Sequence, residues 1–387
     1  MGASTIYDKT IVFLLITATF LFPPSMLGLK STPFAMIVTM VAFLLTIIKL
    51  KRIHISKRDV VILITFFIFI FYIIFQSTYL VGEVNILYTK AFVSISFALF
   101  VFSFSFRIPE LKKKYFKVLI GVFVFFVISN IVTILFTFLI GSNNLLIYEL
   151  PLYGDTYKLS IYFPLTISYG RLNFYGVDIQ RLSALFREPG ITQAFYLWAF
   201  VVSDRYYSNQ FVKPLLALGV IMTLSTSGFI GLFIIIVLVY FLKKISIKNI
   251  LFLMLLIPPS LYVYNNIPGI SLESKNQGSY DARVVKLEES LEIYKENPIF
   301  GIGASNNYIE GTSTAFLQQA YSIGSVGIIF YFLIFIMACV YLKKIERKLF
   351  VISFIPILLT LATSQPIALT PIVFIVLLAT NELELVR

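Results

Sequence analysis

The sequence predicts an all-α, polytopic integral membrane protein: one membrane domain over residues 1–387, about twelve transmembrane helices and two large extracytoplasmic loops. Three observations predict it. The chain is 59% hydrophobic and only 13% charged, with a mean hydropathy of +0.92, which is too apolar for a soluble fold of this length. Apolar windows of the length needed to cross a hydrocarbon core about 30 Å thick recur from end to end. Most of the 31 Lys and Arg residues fall in connections that alternate along the chain, as cytoplasmic loops do.

The expected spans, in order, are roughly 10–29, 33–50, 60–75, 87–106, 118–140, 189–203, 214–226, 228–242, 249–265, 316–342, 349–363 and 367–380. The first apolar run contains Pro23-Pro24 and lacks a small-residue cleavage site, so it reads as a signal anchor that stays in place. With both termini cytoplasmic, the inside holds Lys49, Lys51, Arg52, Arg107, Lys112, Lys113, Lys114, Lys243, Lys244, Lys343, Lys344 and Arg347 and is strongly positive, whereas the outside is nearly neutral. Residues 215–242 could form one long tilted helix or a hairpin turning at Ser225-Thr-Ser-Gly228. One helix would put Lys243–Lys248 outside, so the charge bias favours the hairpin. The basic balance follows from membrane topology and gives no nucleic-acid footprint.

Two polar stretches interrupt this pattern on the outer side, 141–193 and 266–316. Transporters bind between helices near the bilayer midplane, with short connections, so two long loops on one side suggest a site at the membrane surface. The first loop carries Lys158, Arg171, Arg181 and Arg187, and the second Arg283 and Lys286. Arginine grips phosphate oxygens bidentately and stays charged when partly desolvated, so a diphosphate at the surface would suit this set. Ion pairing with Glu149, Asp155 and Asp178, or snorkelling to headgroups, accounts for the same arginines more plainly. Arg187 and Glu188 directly precede Pro189, which suits the first turn of the next helix. Its N-terminal amides would then favour an anion. Glu188 reads either as a charge complementing that helix end or as a catalytic or Arg187-orienting carboxylate.

In the second loop Asp281–Lys295 predicts an amphipathic helix, with Val284, Leu287, Leu291 and Tyr294 on one stripe and Lys286, Glu288, Glu289 and Glu292 off it. It would lie on the bilayer or roof a cavity. Tyr148, Tyr153, Tyr157, Tyr162, Tyr169 and Tyr175 suit headgroup anchoring, and aromatic faces also suit packing against sugar rings.

Other chemistries lack their residues. No phosphate-binding Gly-x-x-x-x-Gly-Lys-Ser/Thr loop is present, and Gly301-Ile-Gly303 lacks a third glycine and reads as a turn. The one cysteine, Cys339, sits in a span, and the one histidine, His54, sits in a basic cytoplasmic stretch. Neither outer loop has an Asp-x-Asp pair, so no metal and no cofactor is expected.

Four segments carry a resemblance. Arg181-Leu-Ser-Ala-Leu-Phe-Arg-Glu-Pro-Gly190, Leu224-Ser-Thr-Ser-Gly-Phe-Ile-Gly231, Asn297-Pro-Ile-Phe-Gly-Ile-Gly303 and Ser313-Thr-Ala-Phe-Leu with Gly324-Ser-Val-Gly327 resemble, in order and placement, the O-antigen polymerase/ligase superfamily. The likeness is greatest to the Wzy-type polymerases of capsule and O-antigen repeat units. The resemblance implies a glycosyltransferase at the outer face of the bacterial cytoplasmic (inner) membrane, acting without metal on undecaprenyl-pyrophosphate-linked oligosaccharide. A chain-length regulator and a flippase of the same pathway are the implied protein partners, with no nucleic acid. Lipopolysaccharide ligases carry a His-Asn pair where this chain has Ser313-Thr314, which counts against a ligase. By resemblance Arg187 would hold the donor pyrophosphate, with Arg171, Arg181 and Arg283 as further binding residues, and Glu188 would be the candidate base. The alternatives are a flippase of lipid-linked oligosaccharide, which would need charges at mid-membrane depth where Lys90 is almost alone, or an O-antigen ligase.

Overall fold

The computed structural model describes residues 2–50, 57–81, 86–152, 157–174, 177–243, 277–303, 315–363, 367 and 370–380. It is mostly helical. The helices are α1 (Gly2–Leu21), α2 (Thr32–Lys49), α3 (Lys57–Val81), α4 (Ile86–Ser105), α5 (Pro109–Ile140), α6 (Pro189–Val202), α7 (Val212–Met222), α8 (Thr226–Lys243), α9 (Gln277–Glu296), α10 (Ala315–Val340), α11 (Lys344–Thr363) and α12 (Pro371–Leu377). The span 249–265 lies outside the described residues; each other expected span coincides with an α-helix over most of its length, except 367–380, of which α12 covers half and a 3-10 turn, Leu378–Thr380, the end. Among the described residues, four helical stretches are long and apolar enough to cross a membrane: Thr32–Lys49, Lys57–Leu80, Pro109–Ile140 and Phe316–Val340. Shorter apolar stretches run over Val93–Ser105, Val212–Met222 and Thr226–Val239. The described residues break the segment 215–242 into α7 and α8, with Leu224 between them at φ 47°.

The all-α expectation needs one correction. Residues 146–182 form an antiparallel sheet of four strands in the order β1 (Leu146–Leu152), β2 (Tyr157–Tyr162), β3 (Thr166–Phe174) and β4 (Val177–Leu182). The local sequence explains it. Thr166-Ile-Ser-Tyr and Tyr157-Lys-Leu-Ser-Ile-Tyr162 are rich in aromatic and β-branched residues, too short and too polar for a span, and broken by Pro164 and Gly170. Leu159, Tyr162, Ile167 and Leu182 are buried, while Tyr148 and Lys158 stay exposed.

The chain divides into two compact units, Met1–Leu119 with Arg283–Val351 and Leu361–Arg387, and Ile120–Ala282 with Ile352–Thr360. In the first, α3 packs on α10, and α12 on α4, around an aromatic cluster of Phe66, Phe69, Tyr331, Phe335 and Phe374. Charges from alternating helix ends meet there. The buried Asp8 of α1 accepts from Lys114 Nζ of α5 at 2.8 Å and from Lys49 of α2. Burial pushes the Asp8 carboxyl up, but the two ammonium groups outweigh it and hold it below its ordinary value. Arg107 Nη2 lies 3.6 Å from Asp59 Oδ2. Burial draws the Arg107 guanidinium below its ordinary value, and Asp59 opposes that shift. Arg58 Nε donates to Ala338 O at 2.8 Å and Nη2 reaches Leu377 O at 3.5 Å, tying α3 to the ends of α10 and α12.

Helix α10 is interrupted inside this unit. Gly324 takes φ 66° and ψ 179°, which releases backbone groups in an apolar interior where each must find a partner. The segment Asn297–Gly303 supplies part of them. Ile302 N donates to Tyr321 O at 2.9 Å and Gly303 N to Ser322 O at 3.1 Å, while Ser325 N and Val326 N donate to Pro298 O and Ile299 O. Helix α3 supplies the rest. Tyr72 Oη donates to Ile323 O at 2.7 Å, and one turn on, Gln76 Nε2 donates to Ser322 O at 2.8 Å and to Phe300 O. A Cβ on Gly324 would lie 2.5 Å from Gly301 N and Phe300 C, so glycine is required for both its angle and its closeness. Two motifs far apart in sequence thus form one clasp.

Candidate functional site

In the second unit α6 packs against both α7 and α8, and β4 runs to the start of α6. The turn between them, 183–188, is held from both sides. Thr192 Oγ1 donates to Ser183 O at 2.5 Å, and Phe186 stacks on Phe195 at 4.9 Å and sits 6.2 Å from Phe123. Ala184 lies at φ 49°, an uncommon angle for a residue with a Cβ that this anchoring maintains. With Phe186 pinned in the core, the neighbouring Arg187 and Glu188 sit at the rim, each side chain 22% exposed.

Arg187 Nη2 lies 3.2 Å from Glu188 Oε1. Glu188 precedes Pro189, the first residue of α6, with extended backbone and no side-chain capping hydrogen bond. Its backbone carbonyl accepts from Ile191 N and Thr192 N instead. The carboxylate therefore serves the arginine, while the main chain starts the helix.

Arg181 reaches the α7–α8 corner: Nε donates to Thr223 O and Nη2 to Leu224 O, both at 3.4 Å. Next to those carbonyls Ser225 Oγ is 3.2 Å from Ser227 Oγ, and Ser227 Oγ accepts from Gln193 Nε2 of α6 at 2.5 Å. Gly228 lets the two first turns approach, since a Cβ there would collide with Gln193 Oε1. A continuous row of contacts thus links Arg181, the start of α8, Gln193 and the start of α6, beside Arg187 and Glu188. The Arg181 guanidinium lies at the corner where the start of α8 meets α6, and Arg187 and Glu188 directly precede α6 in the chain, an arrangement of cations and helix N-termini suited to an anion.

Arg171 lies elsewhere on the sheet. Its Nε donates to Tyr162 Oη at 2.8 Å and Nη1 to Asn143 Oδ1 at 3.1 Å, with Asp178 Oδ2 at 4.0 Å and the Tyr162 ring centroid 5.7 Å from Cζ. These partners make Arg171 a brace of the sheet. Lys158 pairs with Glu149 at 3.0 Å. The backbone of Arg283 belongs to α9, and its side chain lies outside the described residues, as do Asp155 and Ser313-Thr314.

Gln193 and Ser227 were not anticipated as site residues. A signal existed: Gln193 is 1% exposed in an otherwise apolar helix, and a polar group so placed demands a partner.

Neither a curated protein nor a solved structure matches the chain. One family does match in part: residues 212–332 match Wzy_C, described as O-Antigen ligase. The matched stretch begins with α7 and ends within α10, so it takes in the α7–α8 corner and the Gly324 clasp. It supports a place for this chain in the O-antigen ligase/polymerase superfamily of membrane glycosyltransferase-like enzymes.

Proposed function

We propose that the protein is a polymerase that joins undecaprenyl-pyrophosphate-linked oligosaccharide repeat units at the outer face of the bacterial cytoplasmic membrane. The growing chain moves from its lipid pyrophosphate onto the sugar end of a new lipid-linked unit. The C1–O bond to the donor pyrophosphate breaks, a glycosidic bond to the acceptor oxygen forms, the proton of the acceptor hydroxyl passes by way of the candidate base Glu188 to the departing pyrophosphate, and undecaprenyl pyrophosphate leaves.

The observation that carries this reading is the corner where Arg181 meets the start of α8 and α6, with the Arg187–Glu188 pair immediately before α6. Cationic donors fixed in advance stabilise the charge that grows on the bridging phosphate oxygen, and such preorganised groups contribute several kcal/mol to a barrier. Glu188 orients the Arg187 fork. The basic end formed by Asp8, Lys49, Lys114, Asp59 and Arg107 is assigned to the cytoplasm, with both termini there.

A ligase reading has one point in its favour, the description of the matched family. Against it, the only histidine of the chain is His54. Purified protein in liposomes with lipid-linked repeat units separates the readings. A ladder of longer chains supports polymerase, transfer only onto a core-lipid acceptor supports ligase, and translocation of single units without lengthening supports flippase. Arg187→Lys keeps the charge and loses the fork, so it is expected to slow lengthening roughly 30- to 1000-fold, about 2–4 kcal/mol. A wild-type rate in that variant removes Arg187 from the proposed centre.

A further inference from the structure

We propose that the β2–β3 hairpin is re-entrant, and that its turn, Phe163-Pro164-Leu165, lies among the acyl chains of the leaflet that receives the C-terminal end of α5.

Helix α5 carries no charged residue from Val118 to Ile140, a run of about 34 Å at 1.5 Å per residue, close to the thickness of a hydrocarbon core. Its outward face stays apolar and exposed to the end, through Leu135, Phe136, Phe138, Leu139 and Ile140. The hairpin turn meets α5 well before that end. Thr133 Oγ1 donates to Phe163 O at 2.7 Å, Leu165 N donates to Ser129 Oγ at 3.1 Å, and Thr166 Oγ1 lies 2.8 Å from Thr133 Oγ1 and 3.1 Å from Ser129 Oγ. Counting back from Ile140, these contacts sit about 10–16 Å inside the helix end.

Two independent features suit a turn at that depth. Its backbone carbonyl and amide are met by hydroxyls of α5, as a non-helical backbone requires where water is absent. Its apolar side chains are exposed, Phe163 at 50% and Leu165 at 43%, as is Ile147 at the start of the adjoining strand at 58%. That surface is continuous with the exposed face of α5, since the Phe163 ring meets Phe136 edge-on at 6.0 Å. A turn in water would hold such residues against solvent beside a helix face already committed to lipid. The sheet is thus a wedge whose tip is in the bilayer and whose Arg171 end, bonded to Asn143 just past α5, emerges at the headgroups.

Nitroxide labels at Leu165→Cys, Phe138→Cys and Lys158→Cys, each in a Cys339→Ser background and reconstituted in phosphatidylglycerol/phosphatidylethanolamine liposomes, test this. The label at position 165 is expected to match position 138, with high collision rates for oxygen and access to an aqueous nickel chelate several-fold below that at position 158. Nickel access equal to that at position 158, or exclusion of both reagents, overturns the proposal. In the unsubstituted protein, a lipid with a photoreactive group at the acyl-chain end should label the peptide holding Phe163 and Leu165, and failure to label it while α5 is labelled overturns the proposal equally. Neither measurement needs enzymatic activity, so the outcome is separate from that of the polymerase reading.

Discussion

Two interruptions of helical backbone, between α7 and α8 and inside α10, face the same problem and meet it with different chemistry. Each frees carbonyls in an apolar setting. At Gly324 the partners are neutral: the Gln76 amide, the Tyr72 hydroxyl and the backbone of Asn297–Gly303. At Thr223 and Leu224 the partner is the cation Arg181. A neutral donor satisfies a carbonyl and leaves nothing over. A guanidinium satisfies it and leaves a charge at the corner, which is what an anion site needs and a purely structural joint does not. The contrast fits the proposal above, with the Gly324 break as architecture and the Leu224 break as part of the proposed site.

The largest expected effect is at Gly324. Gly324→Val puts a branched side chain at φ 66° against Phe300 and Gly301, and should cost more than about 4 kcal/mol, read as loss of a monodisperse peak after extraction. Gln76→Leu comes next. It strips the donor from Ser322 O and Phe300 O, at about 1–3 kcal/mol per buried carbonyl, and should lower the thermal midpoint while surviving protein keeps its specific activity. Arg181→Gln reverses that pattern. The amide can still reach a carbonyl of the corner, so the midpoint should hold, but lengthening should slow roughly 10- to 100-fold, about 1.4–2.7 kcal/mol. A normal rate with a lowered midpoint would erase the distinction between the two breaks. The smallest effect is at Leu224, which sits at φ 47° without the glycine that angle favours. Leu224→Gly should gain up to about 1 kcal/mol by relieving that strain, with activity retained.

Hydrophobic windows and charge placement located the helices well, because each span is set by a local property: about 20 apolar residues bounded by Lys or Arg. Asp8, Lys49 and Lys114, expected on one side, do meet one another. The sheet was missed because its signal, alternation over six to nine residues, is weak beside polar and tyrosine-rich surroundings that also read as loop. The pairing of Arg187 with Glu188 and the helix start at Pro189 were legible because these residues are contiguous. The link from Gln193 to Ser227 was not, since it joins residues 34 apart and depends on the packing of α6 against α8. The partners of Arg171 were hidden for the same reason: Asn143 and Tyr162 come near only through strand pairing.

The bonds that complete α3 set a timetable for synthesis. Gln76 waits for Phe300 and Ser322, 224 and 246 residues downstream, and Arg58 for Ala338 and Leu377, 280 and 319 residues downstream. At about 5–20 residues per second that is roughly 10 to 60 s during which α3 has left the ribosome with an amide and a guanidinium still lacking their native acceptors. Hydrocarbon is a poor place to hold such groups. The native bonding of α3 is therefore completed only when the latest helices of the first unit arrive.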